Sequence, residues 1–262
     1  MKIMVCVKQV PDTNKVDIDE KTGVLKRDGI ESKLNPYDAY ALETAIVLKQ
    51  KLNAEVSCIT MGPPAAEEVI REAFMMGADH GFLLTDRKFA GADVLATSNT
   101  LAHGIMKAGS FDLIICGKQT TDGDTAQVGP AIAEHLKIPH VSWVKNIIHA
   151  SDTSITVSED MIEYVASARM KYPCLITVEK DIYQPRLPSY CLMKKSAANP
   201  IHYISLSDFE GENEDQYGLT GSPTRVERIF PPESSHDTTI WKYDSERNAS
   251  MLYEKLRELK YV

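Results

Sequence analysis

The stretch DLIICGKQTTDGDTAQVG, residues 112–129, decides how the chain is read. It opens as a short apolar run closed by Gly117, the form of a strand buried on both faces. A polar, glycine-containing loop follows, and Thr125-Ala126-Gln127-Val128 reads as the start of a helix reaching about Lys137. Strand, loop and helix N-terminus together make an anion site, because the first helical amides are unpaired and the helix dipole adds positive charge. Gly117 and Gly123 let the backbone approach a pyrophosphate closely. Thr125 and Gln127 offer neutral hydrogen-bonding groups. Asp122 and Asp124 repel phosphate at contact, so they are read as helix caps or ribose ligands. The pattern is neither G-x-G-x-x-G nor a Walker loop, and an ordinary strand-to-helix turn with an Asp cap uses the same residue types.

Outward from this stretch the same alternation recurs. Strand-like runs are IMVCV (3–7), EVSCIT (55–60) and HGFLLT (80–85). Between them lie a helix capped by Asn35 with Pro36 at its first position, and others from about Pro64 to Met76 and about Asp93 to Lys107. Val94, Ser98, Leu101 and Ile105 recur at the helical period. Such a succession implies an α/β fold, a mostly parallel sheet with flanking helices. Residues 15–27 read as a small hairpin. SWVKNIIHA, TSITVSED and MIEYVASARM alternate at period two, as an antiparallel patch does, and PCLITVEK (173–180) returns as a further strand.

After about residue 184 the character changes. Gln184-Pro185-Arg186-Leu187-Pro188-Ser189-Tyr190 reads as irregular, and residues 207–224 as an acidic loop or linker. From about Ser245 to Leu259, Met251, Leu252, Leu256 and Leu259 form the stripe of an amphipathic helix, which must bury that stripe on its own domain or on a partner. The expected organisation is a nucleotide-binding domain over 1–206 and a linker with a helical arm over 207–262.

The 262 residues carry a net charge of -8, which argues against a nucleic-acid partner. No run reaches the length of a membrane span or a signal segment, so the chain is read as cytoplasmic, without membrane insertion. Cys6, Cys58, Cys116, Cys174 and Cys191 are widely spaced, and the first four lie in apolar runs, as small buried hydrophobes do. The seven His residues show no ligand spacing, so no metal site is expected.

CVKQVPDT, LNPYDAYALE, TMGPP, GKQTTDGDTAQVG and PRLPSYCLMKKS appear in this order. The series resembles the beta subunit of electron-transfer flavoproteins over at least residues 1–200, with GSPT (221–224) and the terminal helix as weaker matches. The resemblance implies a fold like that of adenine nucleotide alpha hydrolases. It also implies pairing with an alpha subunit and a bound adenine nucleotide, AMP in simple carriers and complete FAD in the electron-bifurcating branch. Carried onto this chain, the nucleotide positions are Cys6, Asn35, Pro36, Tyr37, Asp38, Met61, Gly117, Lys118, Gln119, Thr120, Thr121, Asp122, Gly123, Asp124, Thr125, Ala126, Gln127 and Val128.

Val10-Pro11-Asp12 and the FAGAD loop resemble the bifurcating branch, and Phe89, Gly91, Ala92, Asp93 and Thr97 are then expected beside NADH. A capped loop is the plain reading of FAGAD. In that branch, redox activity belongs to the assembled complex. NADH delivers a hydride to FAD, and electrons pass to ferredoxin or flavodoxin and, through the alpha-subunit FAD, to an acyl-CoA dehydrogenase-type enzyme. No catalytic side chain is expected. Leu192, Met193, Lys194 and Lys195 align with the family's partner-recognition loop, an apolar anchor with basic neighbours. YCLMKKSAAN is less lysine-rich than the family there. An ATP-pyrophosphatase reading lacks its S-G-G-x-D-S loop, and a nucleotide-sensing module lacks its glycine-rich phosphate loop.

Overall fold

A computed structural model describes residues 1–12, 32–161, 163–209, 211, 213–227 and 238–262. In chain order its elements are β1 (Lys2–Cys6), β2 (Gln9–Pro11), β3 (Ser32–Leu34), α1 (Pro36–Leu52), β4 (Glu55–Met61), α2 (Glu67–Met76), β5 (His80–Leu84), α3 (Val94–Ala108) and β6 (Leu113–Gly117). They continue with α4 (Val128–Leu136), β7 (His140–Ala150), β8 (Ser154–Asp160), β9 (Val165–Lys171), β10 (Cys174–Val178), α5 (Tyr190–Ser196), β11 (Ile201–Ile204) and α6 (Ser245–Glu258).

One nine-stranded sheet has the order β11-β5-β4-β1-β6-β10-β7-β8-β9. From β11 to β7 every neighbouring pair is parallel, while β8 and β9 continue the edge antiparallel. The expected antiparallel patch therefore extends the main sheet. Ile155, Val157 and Met170 of this patch are buried, while Thr156, Arg169 and Lys171 beside them are partly or fully exposed. The central strands are buried on both faces, as their unbroken apolar runs require.

Ile3, Val5 and Val7 pack with residues of α1 and α2 on one side. Met4, Cys6, Ile114 and Cys116 pack with residues of α3 and α4 on the other. The four strand cysteines are buried and Cys191 is exposed. The residue 15–27 hairpin lies outside the described residues. Three strands were not foreseen: β11 at the sheet edge, and the short antiparallel pair β2 and β3.

Described residues of the segment 207–224 pack against the domain. Phe209 and Tyr217 are buried and meet Phe89 and the His103 ring of α3. α6 buries no residue within the chain. The 190–196 stretch, read as part of a loop, is helical, with the Ser189 hydroxyl accepting from the Leu192 N–H.

Candidate nucleotide-binding crevice

The sheet changes direction at β1. From β1 the chain moves outward to β4 and β5, then α3 returns it across to β6 on the far side of β1. In open α/β sheets such a reversal leaves a crevice at the C-terminal ends of the two strands, where ligands bind. Cys6 and Cys116 are direct register partners at those ends.

The crevice wall is stitched from distant segments. The Lys8 N–H donates to Asp38 Oδ2 at 2.8 Å, and Lys8 Nζ lies 2.8 Å from both Asp122 carboxylate oxygens. Asn35 Nδ2 donates to the Gln119 carbonyl at 2.9 Å, and Asn35 Oδ1 accepts from the Thr121 N–H at 3.3 Å. Met61, at the end of β4 beside β1, is half-buried on the same rim. The structure thus brings Cys6, Asn35–Asp38, Met61 and the 117–128 loop to one end of the sheet.

Several local expectations need correction. Asn35 occupies the N-cap position of α1 but makes no side-chain cap, because its amide is used by the loop. The helix after the loop begins at Val128, since Asp124 and Ala126 have φ of 53° and 55° and break helical geometry upstream. Neither Asp122 nor Asp124 caps α4: one pairs with Lys8, and the other accepts from the Gln119 side-chain amide. Gln127 at the N-cap makes no side-chain cap, which leaves the first amides of α4 free of a competing side chain. Gly117 serves a close approach of a different kind. A Cβ there would stand 2.5 Å from Asp38 Oδ1 and 2.7 Å from the Tyr37 carbonyl carbon, so glycine lets α1 close on β6.

Electrostatics follow from this stitching. Burial dominates at Asp38 and raises its pKa to about 7, although hydrogen bonds from Asn35 and Lys8 oppose the shift. At Asp122 burial also pushes upward, but the Lys8 ammonium outweighs it and holds the carboxyl below its usual range. The Cys116 thiol is raised well above the usual value, first by its hydrogen bond with Cys6 and then by burial.

At the start of α3, Phe89 is buried and Gly91 has φ 75°. Asp93 caps the helix by accepting from the Ala96 N–H at 3.1 Å. Its carboxylate also accepts from the Thr224 N–H and hydroxyl, and its N–H donates to Ser222 Oγ at 2.8 Å. Burial alone would raise the Asp93 carboxyl, yet the Thr224 and Ala96 donors hold it low. FAGAD is thus a capped loop clasped by the GSPT element, with Ala92 and Thr97 half-buried beside it.

On α5, Leu192 is half-buried, whereas Met193, Lys194 and Lys195 are exposed. The most exposed apolar side chain nearby is Leu187, at 87%. Arg186 and Ser189 hold the strand of chain around it: Arg186 makes a two-pronged ion pair to Glu43 at 2.8 Å, and the Ser189 N–H donates to the Met75 carbonyl at 2.9 Å.

A family model for the electron transfer flavoprotein domain matches residues 22–208. The chain belongs to the electron transfer flavoprotein family. It is 44% identical to the caffeyl-CoA reductase-Etf complex subunit CarD of Acetobacterium woodii over 98% of both chains. It is 40% identical to the electron transfer flavoprotein subunit beta of Clostridium acetobutylicum over the whole of both. The acryloyl-CoA reductase electron transfer subunit gamma of Anaerotignum propionicum is 38% identical over 94% of this chain and 95% of its own. Among the described residues of this flavoprotein-family chain, no helix is long and apolar enough to cross a membrane.

Sequence reading missed Lys8 and Glu43 as parts of this arrangement. Lys8 stands just after the first strand, but its partner Asp122 is 114 residues away. Nothing local marks Glu43.

Proposed function

We propose that the chain is the nucleotide-holding beta-type subunit of an electron transfer flavoprotein. Its β1/β6 crevice binds FAD, or AMP in the simpler case. The observation that carries this is the meeting, at the sheet reversal, of the 117–128 loop, the uncapped first amides of α4, and Lys8 and Lys118. These residues fit an adenine nucleotide. The amides and ammonium groups suit its phosphates, and Asp122, Asp124 and Thr125 suit its ribose. A bound flavin supplies the redox chemistry, and the chain's own residues bind it, orient it and exclude water.

The relatives' names favour partners of the acyl-CoA reductase kind, since two of them are subunits of caffeyl-CoA and acryloyl-CoA reductase systems. On this reading the chain pairs with an alpha subunit, NADH is the electron donor, and bifurcation sends electrons to ferredoxin or flavodoxin and to an acyl-CoA dehydrogenase-type enzyme. Phe89, Gly91, Ala92, Asp93 and Thr97 form a wall for NADH. They are not a second phosphate cradle, because Asp93 already occupies the first amides of α3. Partner contacts fall on Met193, Lys194 and Lys195, with Leu192 behind them.

The test is anaerobic. The heterodimer is mixed with NADH, ferredoxin and the partner reductase, with and without its enoyl-CoA substrate. NADH-driven ferredoxin reduction that requires the acyl-CoA acceptor supports the reading; acceptor reduction without any ferredoxin reduction contradicts bifurcation.

A further inference from the structure

Trp143 has φ 58°. Left-handed backbone in so bulky a residue is an outlier that persists only where its surroundings over-determine it, and such strain gathers at functional sites. Trp143 lies where β7 and β10 slip register, between Ile176 and Val178, and a bulge of this kind re-aims one side chain. Its N–H donates to Thr177 Oγ1 at 2.9 Å. Thr177 in turn packs against Gly129, in the first turn of α4, where a Cβ would come within 2.5 Å of it.

The position of Trp143 in the sheet is informative. Val178 pairs with Gly117 on one side and with Val144 on the other. Trp143 therefore stands on the same C-terminal rim as the nucleotide loop, two strands or about 10 Å across from β6. Its indole reaches back along that rim. Lys118 Nζ lies 4.9 Å from the ring centroid and 2.5 Å from Glu179 Oε1. Trp143 remains 40% exposed.

We infer that Trp143 is a positioning residue of the nucleotide site, holding the Lys118 ammonium at the mouth of the loop so that it can pass from Glu179 to the phosphate of a bound adenine nucleotide. The inference rests on the reading that the crevice binds such a nucleotide. A lysine on a flexible stem loses much rotamer freedom when it takes up one phosphate. An aromatic face that attracts the ammonium both before and after the exchange removes most of that loss in advance. Glu179 serves as the counter-ion that keeps Lys118 in place until the more highly charged phosphate arrives. The strained backbone at Trp143 is what turns the ring toward Lys118.

The test uses the heterodimer stripped of nucleotide, with AMP as the probe because it is the moiety common to both nucleotide readings. Binding is measured at several salt concentrations for the wild type, Trp143→Leu, Trp143→Phe, Trp143→Gly and Lys118→Met. Trp143→Leu and Lys118→Met are each expected to weaken AMP about tenfold, and the double variant no further than either alone. Both flatten the salt dependence by the same amount, a change that a merely structural role does not produce. Trp143→Phe retains most of the affinity.

Trp143→Gly relieves the left-handed strain, so it weakens AMP without lowering the melting temperature. Wild-type affinity and salt dependence in the Leu and Gly variants would overturn the inference and leave the nucleotide reading intact. Failure of the wild-type heterodimer to bind AMP would remove the nucleotide reading, and the inference with it.

Discussion

Asp38 shows how one residue can hold two strands and a helix together at a cost that depends on pH. Its carboxyl is buried beside Gly117 and takes the Lys8 N–H, and burial raises its pKa from 3.8 to about 7. The folded state therefore binds this proton more tightly than the unfolded chain does. The resulting stability is fully present below pH 3.8 and is lost as pH rises through 7. Asp38→Asn should flatten the fall in urea midpoint between pH 5 and 8 relative to the wild type; an unchanged slope would mean that Asp38 is not the titrating group. Arg186 makes the complementary case. Removing its guanidinium leaves Glu43, whose side chain is only 7% exposed, without a counter-ion and held by the backbone N–H of residue 186. Arg186→Met is expected to cost about 3 kcal/mol in denaturant unfolding and to speed proteolysis near Leu187.

At the scale of elements, α4 is positioned by what its first turn lacks. Gly129 has no room for a side chain against Thr177, so Gly129→Val should push the N-terminus of α4 away from β10 and empty the crevice of nucleotide. Chromatography of the nucleotide released from the denatured heterodimer checks this; full retention would contradict the assigned role of α4. The elements themselves were largely legible in the sequence, because buried parallel strands and helices lying on a sheet impose apolar runs and a 3.6 period that no other arrangement explains. Local exceptions were not. Asn35 can cap its own helix or bond a loop 84 residues away, and spacing cannot reveal which. Ala126 gives no sign of its left-handed backbone, which delays α4 to Val128. β11 is four residues long and half exposed, too short for a pattern. The 190–196 helix was hidden by the prolines before it, although its Ser189 cap is a recognisable start signal.

For the whole molecule, we propose that the crevice at the β1/β6 reversal holds the nucleotide and that the terminal helix meets another chain. α6 keeps the amphipathic stripe read from sequence, yet none of its residues is buried, and Leu252, Tyr253 and Leu259 are more than half exposed. Its amides should exchange hydrogen quickly in the isolated chain and become protected when the alpha subunit is added; equal exchange in both states would deny α6 a place in that interface. What the reversal crevice holds is the central claim. The most direct measurement is to purify the chain with its alpha subunit, denature the complex and count the FAD and AMP released. Two FAD per heterodimer and no AMP is the result expected of a crevice filled by complete FAD, whereas one FAD with one AMP would contradict bifurcation and leave a simple electron carrier.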